Sequence, residues 1–191
     1  ASVVLAAPLL VRFGKAIVTP PGGDQIGERL LDTHFAMMQK LGVEIKRKDG
    51  RFYLEWKKRN GGNIFLDEPS VTATEMSLMM ASSLKENLVI DDAATEPHVV
   101  NLAQMLAQMG SNISGIGSNV LKIKGGSLSG TEVKVCPDHI EGGTFAVAAA
   151  VTDGHIEIED FYSEKYPMIL NYLGYMGVKY KAGKNSLTVL P

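Results

Sequence analysis

The sequence predicts a mixed α/β (α+β) fold assembled from three copies of one repeat. Three observations lead there. The segments Leu41-Gly42-Val43-Glu44-Ile45, Met109-Gly110-Ser111-Asn112-Ile113 and Met176-Gly177-Val178-Lys179-Tyr180 share one signature, a helix end, a glycine and an extended run. Their glycines lie 68 and 67 residues apart, a period that marks a repeated supersecondary unit. Each glycine is preceded by apolar residues at helical spacing, namely Phe35-Met37-Met38-Leu41, Val99-Leu102-Met105-Leu106-Met109 and Met168-Ile169-Tyr172-Leu173-Met176, which places the glycine as a helix C-cap.

Taken in order, each unit reads helix, strand, helix, strand, strand over about 65 residues. The leading helices fall at 1–13, 74–84 and 144–151, each apolar and rich in small residues. A short strand follows each of them, at 16–19, 88–91 and 155–159. The glycine-terminated helices come next. Two further strands close the unit, as in 43–46 with 52–56 and 179–181 with 186–190. The joins between units are placed at 61–69 and 127–137, so that 1–136 holds two units and 137–191 the third.

The whole chain bounds the function. Its 191 residues suffice for one large domain or two small ones, and 45% hydrophobic with 21% charged residues describe a globular protein. A net charge of −2 argues against a nucleic-acid footprint, which needs a basic face. The single cysteine, Cys136, cannot form an internal disulfide, which suits a reducing, cytoplasmic setting. The opening run Ala1-Ser2-Val3-Val4-Leu5-Ala6-Ala7-Pro8-Leu9-Leu10-Val11 has no positive region ahead of it and is too short for a bilayer span. It reads as a buried helix, and its start inside an apolar run, without a capping lead-in, reads as the interior of something longer.

The repeats differ in one place. Gly14 to Gly42 spans 28 residues and Gly154 to Gly177 only 23. The longer first unit carries Pro20-Pro21-Gly22-Gly23-Asp24-Gln25-Ile26-Gly27-Glu28-Arg29 between its strand and its second helix. Prolines stiffen the entry and glycines permit backbone angles that side chains forbid. A repeat that keeps its core and enlarges one connection has usually put function there, the alternative being a tolerated insertion. Arg29 at the helix entry, with the helix N-terminus, favours a phosphate or carboxylate. Asp24 beside such an anion is a proton donor or acceptor, its pKa lowered by Arg29 and raised by a phosphate dianion and desolvation. The alternative is a surface carboxylate ion-paired with Arg29.

Other positions read as structure first. Asp32 and His34 are two apart and point different ways on a helix. His34, His98, His139 and His155 lack metal-ligand spacing, so satisfied structural histidines are expected, with neither metal nor cofactor. Ser70-Val71-Thr72-Ala73-Thr74, followed by Glu75, opens a helix with hydroxyls, read as capping first and as ligand contact second. Glu96-Pro97 and Pro137-Asp138 are read as helix starts explained by capping. Cys136 is placed at a strand end as a small buried hydrophobe, and Trp56 over a sheet.

With these residues on the page, the chain resembles the enolpyruvyl transferase family along essentially its whole length. The matching segments are Ala1-Ser2 through Arg12-Phe13-Gly14, Pro21-Gly22-Gly23, Ile26-Gly27-Glu28-Arg29, Asp32, Pro69-Ser70-Val71, Ala73-Thr74-Glu75, Glu96-Pro97, and Pro137-Asp138 with Gly143-Thr144-Phe145. The resemblance implies repeated βαβαββ units in a prism-like, inside-out α/β barrel arrangement, with two lobes and substrates between them. It implies transfer of enolpyruvate from phosphoenolpyruvate to the 3-hydroxyl of UDP-N-acetylglucosamine in peptidoglycan synthesis. By the same resemblance Arg29 contacts the phosphoenolpyruvate phosphate, and Arg29, Leu30, Leu31, Asp32 and Thr33 line the UDP-sugar site together with Glu68, Pro69, Ser70 and Val71. Asp24 stands where the family usually has a catalytic cysteine, though some members carry aspartate. An aspartate cannot form the thiol adduct of fosfomycin, so resistance is expected.

Departures accompany the match. Thr72 stands where the family usually has glycine, Thr95 and His139 replace arginines, and Leu30-Leu31 replace a Pro-Val pair. A bulkier Thr72 is expected to crowd a backbone near the nucleotide. A diverged, non-catalytic nucleotide-sugar-binding paralogue is the alternative function. By resemblance, the chain lacks the family's first unit with its Lys-Asn phosphate-binding pair and most of the second lobe. It is therefore expected to be inactive alone, its partners being the two substrates and the missing portions of the same protein, with no nucleic acid and no membrane.

Overall fold

The computed structural model describes residues 2–20, 22 and 30–191, in two compact units, 1–134 and 135–191. In the first unit a 3-10 turn at Ser2–Leu5 leads into α1 (Ala6–Phe13), then β1 (Lys15–Val18), α2 (Asp32–Lys40), β2 (Val43–Lys48) and β3 (Arg51–Trp56). The next repeat follows as β4 (Gly62–Phe65), α3 (Val71–Ala81), β5 (Asn87–Asp91), α4 (Pro97–Gln108), β6 (Asn112–Ser114) and β7 (Val120–Lys124). The second unit holds α5 (His139–Val151), β8 (Ile156–Glu159), α6 (Pro167–Tyr175), β9 (Tyr180–Ala182) and β10 (Ser186–Val189).

Strand order makes the repetition concrete. The three sheets run β1-β3-β2, β5-β7-β6 with β4 added beside β5, and β8-β10-β9. In every repeat the third strand lies between the first and the second, antiparallel to both. The helix ends match as well. Gly42, Gly110 and Gly177 all have positive φ, at 92°, 118° and 75°. After α4, Gly110 N–H donates to Ala107 O and Ser111 N–H to Leu106 O. After α6, Gly177 donates to Gly174 O and Val178 to Leu173 O. These paired bonds are Schellman closures, which require a left-handed residue. At Gly42 a side chain is excluded twice, since a Cβ there would sit 2.1 Å from the Lys58 carbonyl oxygen.

The core of the first unit is organised on α3. A helix apolar on every side must be buried on every side, and Ala73, Met76, Leu78, Met80 and Ala81 are all 0% exposed. Helices α1, α2 and α4 pack against it. Its buried hydroxyls are satisfied locally: Thr74 Oγ1 donates to Ser70 O and accepts from Ala94 N–H, and Ser77 Oγ donates to Ala73 O. Trp56 ends β3 against this core, its Nε1–H donating to Leu41 O at 2.8 Å, with the Arg59 guanidinium over its ring. The β2–β3 connection is a two-residue turn, Asp49-Gly50, with φ of 49° and 70° and Lys48 opposite Arg51. Both positive angles match the twist of the flanking strands. In the second unit Ala146, Phe161, Tyr166, Leu173, Leu187 and Val189 form a separate small core.

Four sequence expectations are corrected. The stretch 61–69 is more than a join, because β4 runs parallel to β5, Gly62 opposite Leu88 through Phe65 opposite Asp91. Helices α3 and α5 start at Val71 and His139 with Ser70 and Asp138 as their caps, as those capping residues implied, which moves the bounds 74 and 144 earlier. Glu96 holds the N-cap position of α4, but its side chain makes no capping bond. Cys136 lies outside any strand and is only half-buried.

Candidate functional site

Asp24 and Arg29, and with them most of the Pro20–Arg29 connection, lie outside the described residues. The remaining sequence-predicted positions gather at two helix starts. Leu30 is exposed, and Leu31 turns inward to a buried position just before α2. Asp32 opens that helix and is exposed, while Thr33 Oγ1 donates to Glu68 Oε1 at 3.4 Å. Glu68 and Pro69 are exposed. Ser70 caps α3 through Ala73 N–H, and Val71 is its first residue, packed on the core. The first turns of α2 and α3 are therefore neighbours, although 35 residues separate Thr33 from Glu68.

Thr72 and His34 complete this contact. His34, on the second residue after Asp32, is 6% exposed, and its Nε2 lies 2.7 Å from Thr72 Oγ1. Sequence reading made His34 a satisfied structural histidine and Thr72 a crowding departure. The two are in fact each other's partners. Burial lowers the His34 pKa, opposed by the nearby Glu68 carboxylate. A helix N-terminus in general favours a bound anion, and at this corner the exposed Asp32 and Glu68 carboxylates stand beside the two helix starts.

The coupling of two carboxylates was missed. Glu75, in the second turn of α3, is half-buried, and its pKa is raised by burial, with His98 lowering it and Glu96 raising it. Glu96 Oε2 is buried without a hydrogen-bond partner among the described residues. Only the conjunction of Thr74-Glu75 and Glu96-Pro97 at two helix starts signalled this pair, and neither spacing nor periodicity joins them. Among the described residues no group of three or more His, Cys, Asp or Glu is placed to hold a metal ion. No described helix is long and apolar enough to cross a membrane.

The first and second repeats thus share one strand order, and the starts of α2 and α3 adjoin between them. The chain belongs to the family of EPSP synthase (3-phosphoshikimate 1-carboxyvinyltransferase), whose family model matches residues 1–191. Among curated relatives it is 45% identical over 190 residues to the UDP-N-acetylglucosamine 1-carboxyvinyltransferase of Treponema denticola. It is also 45% identical over 191 residues to that of Borrelia garinii subsp. bavariensis. Both matches cover 99% of this chain and 44% of the relative, so the chain spans less than half the length of these proteins. Among solved structures, the enolpyruvyl transferase NikO from Streptomyces tendae superposes with a TM-score of 0.80 at 21% identity, covering 98% of this chain and 46% of that one. EPSP synthase from Acinetobacter baumannii superposes at 0.62 with 17% identity, covering 98% and 45%. At those identities the structures speak for the fold alone.

Proposed function

We propose that the intact protein carrying this chain transfers the enolpyruvyl group of phosphoenolpyruvate to the 3-hydroxyl of UDP-N-acetylglucosamine, the cytoplasmic opening of peptidoglycan synthesis. The observation that carries this reading is the 45% identity over 99% of the chain to proteins of that name. The geometry supports it: Leu30–Thr33 and Glu68–Val71, the two stretches read as UDP-sugar contacts, converge on the adjoining starts of α2 and α3. In this reading Arg29 meets the phosphoenolpyruvate phosphate. Asp24 is the acid that protonates the methylene carbon, which lets the sugar oxygen add to C2 and form a tetrahedral adduct. The sugar hydroxyl gives up its proton as it adds, and loss of phosphate from C2 together with one proton from the new methyl group then forms the enol ether. Residues 1–136 contribute two repeats of the lobe with the catalytic connection, and 137–191 one repeat of the other. The chain alone is inactive in this proposal, because the rest of the same protein completes the site.

Phosphate release by the intact protein with both substrates is the test. Turnover dependent on both is expected, and binding of the UDP-sugar without phosphate release would instead establish a non-catalytic paralogue. Asp24 adds a second expectation, resistance to fosfomycin. The Asp24→Cys variant should become sensitive, with a covalent adduct visible by mass spectrometry, and an adduct on the unsubstituted connection would overturn the role given to Asp24.

A further inference from the structure

We infer that His34 and Thr72 are a positioning pair for the nucleotide-sugar, holding the first turn of α2 against the first turn of α3 so that the two contact stretches keep their spacing. The inference rests on the proposed function for the identity of the ligand, and on geometry for the rest. His34 Nε2 and Thr72 Oγ1 are 2.7 Å apart across 38 residues of sequence. One member follows Leu30–Thr33 directly and the other follows Glu68–Val71 directly, so neither belongs to the contact stretches themselves.

The bond stands almost alone. His34 is 94% buried, taking its 6% exposure from full burial, and its Nδ1 has no hydrogen-bond partner among the described residues. A buried N–H left unpaired is costlier than a buried lone pair left unpaired. That balance favours the Nε2–H tautomer, with Nε2–H donating to Thr72 Oγ1. The second tie between the two turns, Thr33 to Glu68, is long at 3.4 Å and exposed, and so adds little. Burial disfavours the imidazolium, with the Glu68 carboxylate the opposing charge, so the donor arrangement of the neutral ring persists at neutral pH. A single short bond of this kind is worth about 0.6–1.4 kcal/mol, or about three- to tenfold in an equilibrium constant. In a loaded site that is enough to matter, since small misplacements of binding groups are expensive.

The experiment is calorimetry and steady-state kinetics with UDP-N-acetylglucosamine on the intact protein and four variants. Thr72→Ala and His34→Leu remove the bond. Thr72→Ser and His34→Gln keep an acceptor hydroxyl and a donor N–H respectively. The expected result is UDP-sugar affinity about three- to tenfold weaker in the first pair, with KM raised and kcat nearly unchanged, and recovery in the second pair. Ring 15N signals of His34 should report the Nε2–H tautomer, and should shift in Thr72→Ala while circular dichroism stays constant. If Thr72→Ala folds and binds the UDP-sugar as tightly as the unsubstituted protein does, the positioning role is overturned and the proposed function stands. Absence of UDP-sugar binding by the unsubstituted protein overturns the proposed function, and this pair's role falls with it.

Discussion

Helices α3 and α5 hold the same place in successive repeats and meet opposite fates. Both are apolar almost throughout. On α3 the residues Met76, Leu78 and Met80 are wholly buried, whereas on α5 Ile140 is 63%, Phe145 52% and Val151 77% exposed. The difference is in company rather than composition. Helices α1, α2 and α4 surround α3, drawing on two repeats, while α5 packs on β8 and β10 of its own repeat. One repeat of this kind cannot bury both sides of its leading helix, and a neighbouring repeat must supply the second layer.

The sharpest way to break that comparison is truncation of matched side chains. In this 191-residue chain Leu78→Ala should cost about 2–5 kcal/mol by urea denaturation, while Val151→Ala should stay within about 0.5 kcal/mol. Equal losses would mean that α5 is packed in solution. The helix caps should reverse the ranking. Asp138 Oδ1 accepts from both Ile140 and Glu141 N–H, at 2.8 and 3.3 Å, whereas Ser70 Oγ accepts from Ala73 alone at 3.4 Å. Asp138→Ala is therefore expected to cost about 1 kcal/mol, and Ser70→Ala less, read as helicity and denaturation midpoint.

The smallest effect is acid sensitivity confined to the first unit. Because burial lowers the His34 pKa in the fold, the unfolded chain binds the proton first as pH falls. The stabilisation is thus fully present above about pH 6.5 and is lost below it as pH approaches the folded value. The His34→Gln variant should flatten the dependence of the first unit's denaturation midpoint between pH 7 and 5. An unchanged slope would show that His34 does not differ between folded and unfolded states.

Local chemistry made much of this architecture legible. The three glycines announced their helix ends because a left-handed C-terminal residue is a requirement of single positions, and Gly110 and Gly177 close Schellman motifs as the pattern implied. What escaped depended on distance. Strand β4 was hidden because Gly61-Gly62-Asn63-Ile64-Phe65 has the composition of a turn, and only its parallel partner β5, some 25 residues on, makes it a strand. Glu96 was misjudged because its neighbour Pro97 announces a helix start without showing where the carboxylate turns. The candidate site divides in the same way. Ser70 as a cap was readable from its hydroxyl and position, whereas His34 and Thr72 were each readable only as isolated residues. Their pairing belongs to the contact between α2 and α3, which no local pattern encodes.

The Asp49-Gly50 turn has a consequence for the order of assembly. Hairpins closed by two residues form in about 1–10 μs, so β2 and β3 can pair before any other strands in the first repeat. Strand β1 must then find β3 across the whole of α2, Lys15 opposite Glu55, a longer-range search that is slower than the hairpin's. The stretch 19–31 between β1 and α2 is spanned in that later step. Lengthening it should raise the cost of closure only logarithmically, by about 0.6 kcal/mol per doubling, so the fold tolerates a longer connection here.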